Sequence, residues 1–220
     1  MLNKHILALV SASVVAFSPM ANASLITFDS VVSGATSFGY DGDGDSINDV
    51  VFATSDPLGF NTFGPGPNMS YINEPGIEGT TGLSPDLGVS FLNGAVGTLG
   101  FGFAMSTGII DPSTSMTFSV FDAADALLAT TTVAADFTIT SPPTGLSDFP
   151  EALVSLSFLG TASYATFDFN STNAARYIID NFNGTFGSTE RPGTVPEPAT
   201  AALFALGLIG VGFSRRRKAN

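Results

Sequence analysis

Cysteine and tryptophan are absent from this chain, and its one histidine is His5. Without cysteine there is no disulfide framework. Beyond residue 5, without histidine or cysteine, there is no Ser-His-Asp triad, no Cys-His pair and no zinc or iron site built on imidazole or thiolate. Carboxylate chemistry and hard-cation binding are what remain. Positive charge is nearly as scarce. All nineteen acids lie between Asp29 and Glu197, and the cations of that stretch are Arg176 and Arg191, so it carries 2 − 19 = −17. Nucleic acid and anionic membrane surfaces are poor partners for such a body, and cations are good ones. Long amphipathic helical patterns are also missing. The helix-like patch Thr172 to Ala175 is too short to alter the class.

The apolar runs sit at the two ends. Lys4 and His5 precede Ile6 to Phe17, then Pro19 and Ala21-Asn22-Ala23. A basic start, an apolar middle and an A-x-A end read as a secretory signal helix. It passes through the Sec translocon and is cut after Ala23, so Ala21 and Ala23 are the cleavage residues and 1–23 is the signal peptide. At the other end Pro196-Glu197-Pro198 is followed by an apolar run over 199–213, then Ser214 and the basic cluster Arg215, Arg216, Arg217 and Lys218. As a helix that run is about 22 Å long at ~1.5 Å per residue, short of a ~30 Å hydrocarbon core. The cations hold its end in the cytoplasm, leaving everything before Pro196 outside. The two prolines keep the tripeptide extended around one carboxylate.

This tail closely resembles the PEP-CTERM sorting signal of exported bacterial proteins, over Val195 to Lys218. The resemblance implies processing near Pro196–Pro198 by an exosortase, a membrane cysteine protease of transpeptidase-like kind. It implies transient anchoring in the inner membrane through the C-terminal helix, then delivery to the cell surface or extracellular matrix of a biofilm-forming, exopolysaccharide-producing bacterium.

Between the ends, residues 24–190 form one domain, with 191–195 as linker and 196–218 as sorting signal. Phe, Thr, Ser, Gly and Val dominate, as in strands. Leu99, Phe101, Phe103 and Met105 alternate with Gly100, Gly102 and Ala104. Met116 to Val120 and Val154 to Phe158 alternate likewise, and Leu25 to Phe28, Tyr164 to Phe169 and Arg176 to Phe182 are further strands. Asp111-Pro112, Asp122 to Asp125, Pro142-Pro143 and Asn183-Gly184 read as turns. Asp56 to Asp86, with Gly64-Pro65-Gly66-Pro67, reads as a long loop with one short strand near Met69–Ile72. The expected fold is all-β, an antiparallel β-sandwich of jelly-roll type flanked by the signal helix and the sorting helix.

Two places carry candidate chemistry. Asp41, Asp43, Asp45 and Asp49 stand at positions one, three, five and nine of a Gly-spaced loop, with the Ile47 carbonyl at seven. Such spacing converges oxygens on one hard cation, so calcium is the candidate cofactor; a solvated acidic turn before a strand from Asp49 to Ala53 is the alternative. The loop resembles the aspartate-rich calcium loops of thrombospondin type 3 repeats and EF-hand-like loops, with Ser46 where those have Gly and Phe52 where they have a bidentate acid. The second place is Asp180. Leu25 to Asp29 and Tyr177 to Phe182 resemble the opening and closing strands of jelly-roll carbohydrate-binding modules, in which an Asp of the last strand ligates a structural calcium. A turn or edge-strand role is the other reading of Asp180.

A glycoside hydrolase needs two carboxylates roughly 5–9.5 Å apart. Glu74, Glu78, Glu151 and Glu190 are available, nothing in the sequence marks a pair, and a sugar platform would have to be Tyr or Phe. The resulting expectation is a non-catalytic, secreted or surface-associated protein of the bacterial envelope or exopolysaccharide matrix. A carbohydrate-binding module that grips extracellular polysaccharide is the alternative, and a glycoside hydrolase the third reading.

Overall fold

The computed structural model describes residues 21–62, 69–73, 75–83, 86–107, 111–137 and 149–187. Residues 1–20 of the 1–23 signal segment, the tail from residue 188 onward, Glu74, Glu190, Gly64 to Pro67 and Pro142-Pro143 lie outside them.

Every element among the described residues is a strand. In chain order they are β1 (Ala21–Ile26), β2 (Ser37–Tyr40), β3 (Val50–Thr54), β4 (Ile77–Glu78), β5 (Leu87–Ser106), β6 (Ser115–Phe121), β7 (Leu127–Ala134), β8 (Glu151–Ser157), β9 (Ala162–Asn170) and β10 (Arg176–Gly187). All pair antiparallel. The organising element is β5, 20 residues long. Its first part pairs with β3 and β9, its second with β10 and β8. Between the parts Gly94 (φ 82°) and Gly97 (φ 83°) take left-handed conformations that only glycine adopts cheaply, and the strand turns from one layer into the other.

One layer therefore runs β2-β3-β5-β9-β6-β7, the other β1-β10-β5-β8, with β4 beside β10. This order is jelly-roll-like, with the first part of β5 inserted between β3 and β9. The core between the layers is phenylalanine. Phe101 (β5) meets Phe118 (β6) at 4.9 Å and Phe167 (β9) at 5.1 Å, and Phe182 (β10) meets Phe52 (β3) at 5.1 Å. All but Phe167 are essentially sealed from solvent. Each buried ring is worth ~1.5–3 kcal/mol of transfer free energy.

The alternating runs lie in strands, and several local readings need correction. Asn183-Gly184 is not a turn but part of β10, at a register shift against β5. Met69–Ile72 is irregular, and the short strand of that region is Ile77–Glu78. Thr172 to Ala175 is not helical; its first residues turn toward Asp111. The first strand starts earlier than Leu25, with Ala21↔Gly187 and Ala23↔Thr185 in register.

Candidate functional site

The loop between β2 and β3 folds by accepting its own amides. Gly44 and Ser46 donate N–H to Asp41 Oδ1 and Oδ2 at 2.7 and 2.8 Å, Asp45 donates to Asp43 Oδ1 at 3.0 Å, and Ile47 donates to Asp45 Oδ1 at 2.7 Å. Asp49, buried at the start of β3, accepts from Gly42 N at 2.8 Å. One carboxylate oxygen each of Asp41, Asp43 and Asp49 comes within 4.8 Å of the others. Oxygens ~2.3–2.6 Å from one calcium ion span up to about that separation, so these three fit the ion in size and charge. Asp45 shares the loop but is outside the converging group. Desolvation raises the Asp41 pKa, and the Ser46 and Gly44 amides outweigh it, leaving it below the ordinary value. Asp43 is shifted upward, by desolvation and then by repulsion from Asp45 and Asp49.

Asp180 lies in β10, 1% exposed. Its Oδ2 accepts from Asn73 N at 2.7 Å, while Oδ1 is buried with no hydrogen-bond partner. Burial pushes its pKa up to about 6, with the Asn73 and Asn181 amides opposing and the Asp29 charge adding. It pairs with Gly102 of β5, two residues along from a row of acids beside residues 69–73. Glu151, Ala104, Ile178 and Glu78 are in register across β8, β5, β10 and β4. Glu151 accepts from Ser70 N and Tyr71 N, both at 2.7 Å. Glu78 accepts from Asn61 Nδ2 at 2.6 Å and pairs with Arg176 Nη1 at 3.1 Å. Glu78 and Glu151 are thus sealed fasteners for loop backbone and the arginine.

In the sequence two more buried aspartates read only as turn and loop positions. Asp56 accepts from Leu58 N, Thr80 N, Thr81 N and Thr81 Oγ1. Asp111 accepts from Ser113 N and Oγ, Ser171 Oγ, Thr172 N and Oγ1, and Asn173 Nδ2. These bonds, Ser113 Oγ first, hold the Asp111 carboxyl far below the usual carboxylate range. The available signal was turn chemistry: Asp-Pro-Ser at one point and Ser-Thr-Asn at the other.

An open concavity lies elsewhere, lined from the end of β3, the start of β5 and β9. This cleft, of about 870 Å³, includes Ala53, Ser55, Asp86, Gly88, Thr166 and Asp168 in its lining, together with Leu87, Phe167 and Phe169. The in-register neighbours of Thr166 and Asp168 on β6 are Ser119 and Thr117, whose hydroxyls bond Thr130 and Thr132 of β7 at 2.8 Å. One register step along, Phe121 stacks on Tyr164 at 4.9 Å, both half-exposed. The Tyr164 hydroxyl donates to Asp125.

Residues 194–218 match the PEP-CTERM protein-sorting motif. No curated protein matches the chain. Among solved structures the chain is similar to a cleaved adhesin domain of Lys-gingipain from Porphyromonas gingivalis, 16% identical over 76% of this chain and 99% of that one, TM-score 0.36. It is also similar to a xylan-binding domain from Paenibacillus barcinonensis, 11% identical over 79% and 99%, TM-score 0.36. A family 29 carbohydrate binding module is 12% identical over 76% and 93%, TM-score 0.33. Each is a remote likeness, and nothing about binding follows from it.

Proposed function

We propose that this chain, which carries a PEP-CTERM protein-sorting motif, is an exported, exosortase-processed, non-catalytic protein of the bacterial envelope or exopolysaccharide matrix. The observation that carries the reading is the tail sequence: Pro196-Glu197-Pro198, an apolar run over 199–213 with fewer residues than a stable span needs, and the basic cluster 215–218. Support for a non-catalytic body comes from Glu78 and Glu151, the described members of the candidate set Glu74, Glu78, Glu151 and Glu190, both buried in structural contacts. The test is Glu197→Ala in the producing bacterium. The altered chain accumulates uncut in the inner-membrane fraction; release at the normal size sinks the reading.

Carbohydrate binding is the second reading, and the cleft lined from β3, β5 and β9, with β6 and β7 beside it, favours it. Hydroxyls, carboxylates and a half-exposed aromatic pair are the groups that hold sugars. Calcium belongs to either reading. Asp41, Asp43 and Asp49 would hold one ion, ordering the loop at the edge of that face. The unpartnered Oδ1 of Asp180 is a second donor, and a cation there would remove a buried polar atom's deficit.

A further inference from the structure

The cleft has a charge as well as a shape. Asp86 and Asp168 stand exposed on its walls, and among the described residues neither carboxylate meets a hydrogen-bond partner. The one cation among those residues, Arg176, is spent on Glu78 and on the Phe149 ring. It lies on β10, in the other layer. Among the described residues nothing in the cleft offsets its two carboxylates, and the surrounding body adds to the same sign. A uronic-acid, sulfated or phosphorylated polymer would meet repulsion there. A polymer with protonated amines would meet paired charges.

The backbone narrows the polymer class further. The first part of β5 is hydrogen-bonded to β3 and β9, β3 also to β2, and β9 to β5 and β6, so among the described residues no free strand edge borders the cleft. An extended peptide cannot add a strand to it. Recognition falls to side chains: the Thr117, Ser119 and Thr166 hydroxyls for ligand hydroxyls, Asp86 and Asp168 for ammonium groups, and the Phe121–Tyr164 pair for an apolar sugar face. From β3 to β7 the face crosses four strand intervals, ~19 Å at ~4.8 Å each, enough for several sugar residues.

We propose that this face binds an amine-bearing polysaccharide, a polymer of amino sugars with free ammonium groups, and that Asp168 and Asp86 set its preference for that polymer over neutral or acidic ones. The inference rests on the carbohydrate-binding reading and adds the charge class of the ligand. The test uses the full chain in mild detergent and measures affinity for glucosamine oligomers, for the same oligomers fully N-acetylated, for uronic-acid oligomers and for oligolysine, below neutral pH. The expected order is glucosamine above N-acetylglucosamine, with uronate unbound. Asp168→Asn and Asp86→Asn should each cut glucosamine affinity roughly two- to fivefold, as exposed charge pairs do, and leave the acetylated oligomer unchanged. Added salt should erase the difference. Equal binding of the amine and acetylated forms, or preference for uronate, overturns the inference while leaving carbohydrate binding standing. Oligolysine bound as tightly as glucosamine, with the same loss in both variants, overturns it in favour of general charge attraction. Binding of no saccharide overturns both.

Discussion

At the scale of single residues, Asp111 makes the sharpest case. Its carboxylate closes a corner between Ser113 before β6 and Thr172 after β9. A carboxyl whose pKa lies below its unfolded value of ~3.9 stabilises the fold above that pH and ceases to as pH drops below it. Asp111→Asn keeps the shape and loses the charge. Thermal unfolding should therefore place the variant below the parent at pH 6, with the gap closing towards pH 2. An equal gap at both pH values would reduce Asp111 to packing alone. Little of this was legible in the sequence, because Asp-Pro-Ser has the look of any turn. Apart from Ser113, its partners lie 60 residues away, at Ser171 and beyond.

At the scale of elements, β5 explains both what alternation revealed and what it hid. Leu99 to Met105 were readable because one face meets the phenylalanine core and the other carries glycine. That glycine face is not open. The segment 69–73 lies against it, held by Glu151, Asp180 and Asn181, with the Tyr71 carbonyl directly over Gly102. A Cβ at Gly102 would overlap that carbonyl, whereas at Gly88 the nearest atom, Ala165 O, is at an ordinary 3.6 Å. Gly102→Ala should cost ~1–3 kcal/mol, the range for overpacking. It should also speed hydrogen exchange at the Ser70, Tyr71 and Asn73 amides, with Gly88→Ala near neutral. Unchanged protection in Gly102→Ala would show that the segment does not depend on the contact. The misread Asn183-Gly184 has the same cause. Gly184 sits in β10 where a Cβ would meet Leu99 Cδ2 at 2.5 Å and the Phe186 ring at 2.9 Å, so packing and not a turn accounts for its lack of a side chain.

At the scale of the whole molecule the governing quantity is charge. With −17 between Asp29 and Glu197, self-repulsion opposes the compact state, and a divalent cation at Asp41, Asp43 and Asp49 would offset it where the acids are densest. Without an acid at position twelve, affinity should fall in the ~10⁻⁴–10⁻³ M range of extracellular modules. At a hundredfold excess over Kd such a site adds about 2.7 kcal/mol to stability. Melting temperature should rise with calcium and fall with chelator, while sodium at equal ionic strength should not reproduce the rise. Asp43→Asn, exposed and outside the core, should remove most of it. An identical response in the variant would leave charge screening as the whole effect.

The sequence by itself determined the sorting tail, the β class, the excluded chemistries and the acidic loop. These depend on composition and on short-range order: a tripeptide beside an apolar run, period-two alternation, or carboxylates two residues apart. Only the tertiary structure decided which acids are buried, which converge and where the cleft lies. Asp168 and Glu151 are both acids on strands with alternating neighbours, yet one faces open solvent and the other is sealed under residues 69–73. That difference arises from strands distant in sequence brought side by side, and from one long strand bent at two glycines to serve both layers, neither of which local pattern encodes.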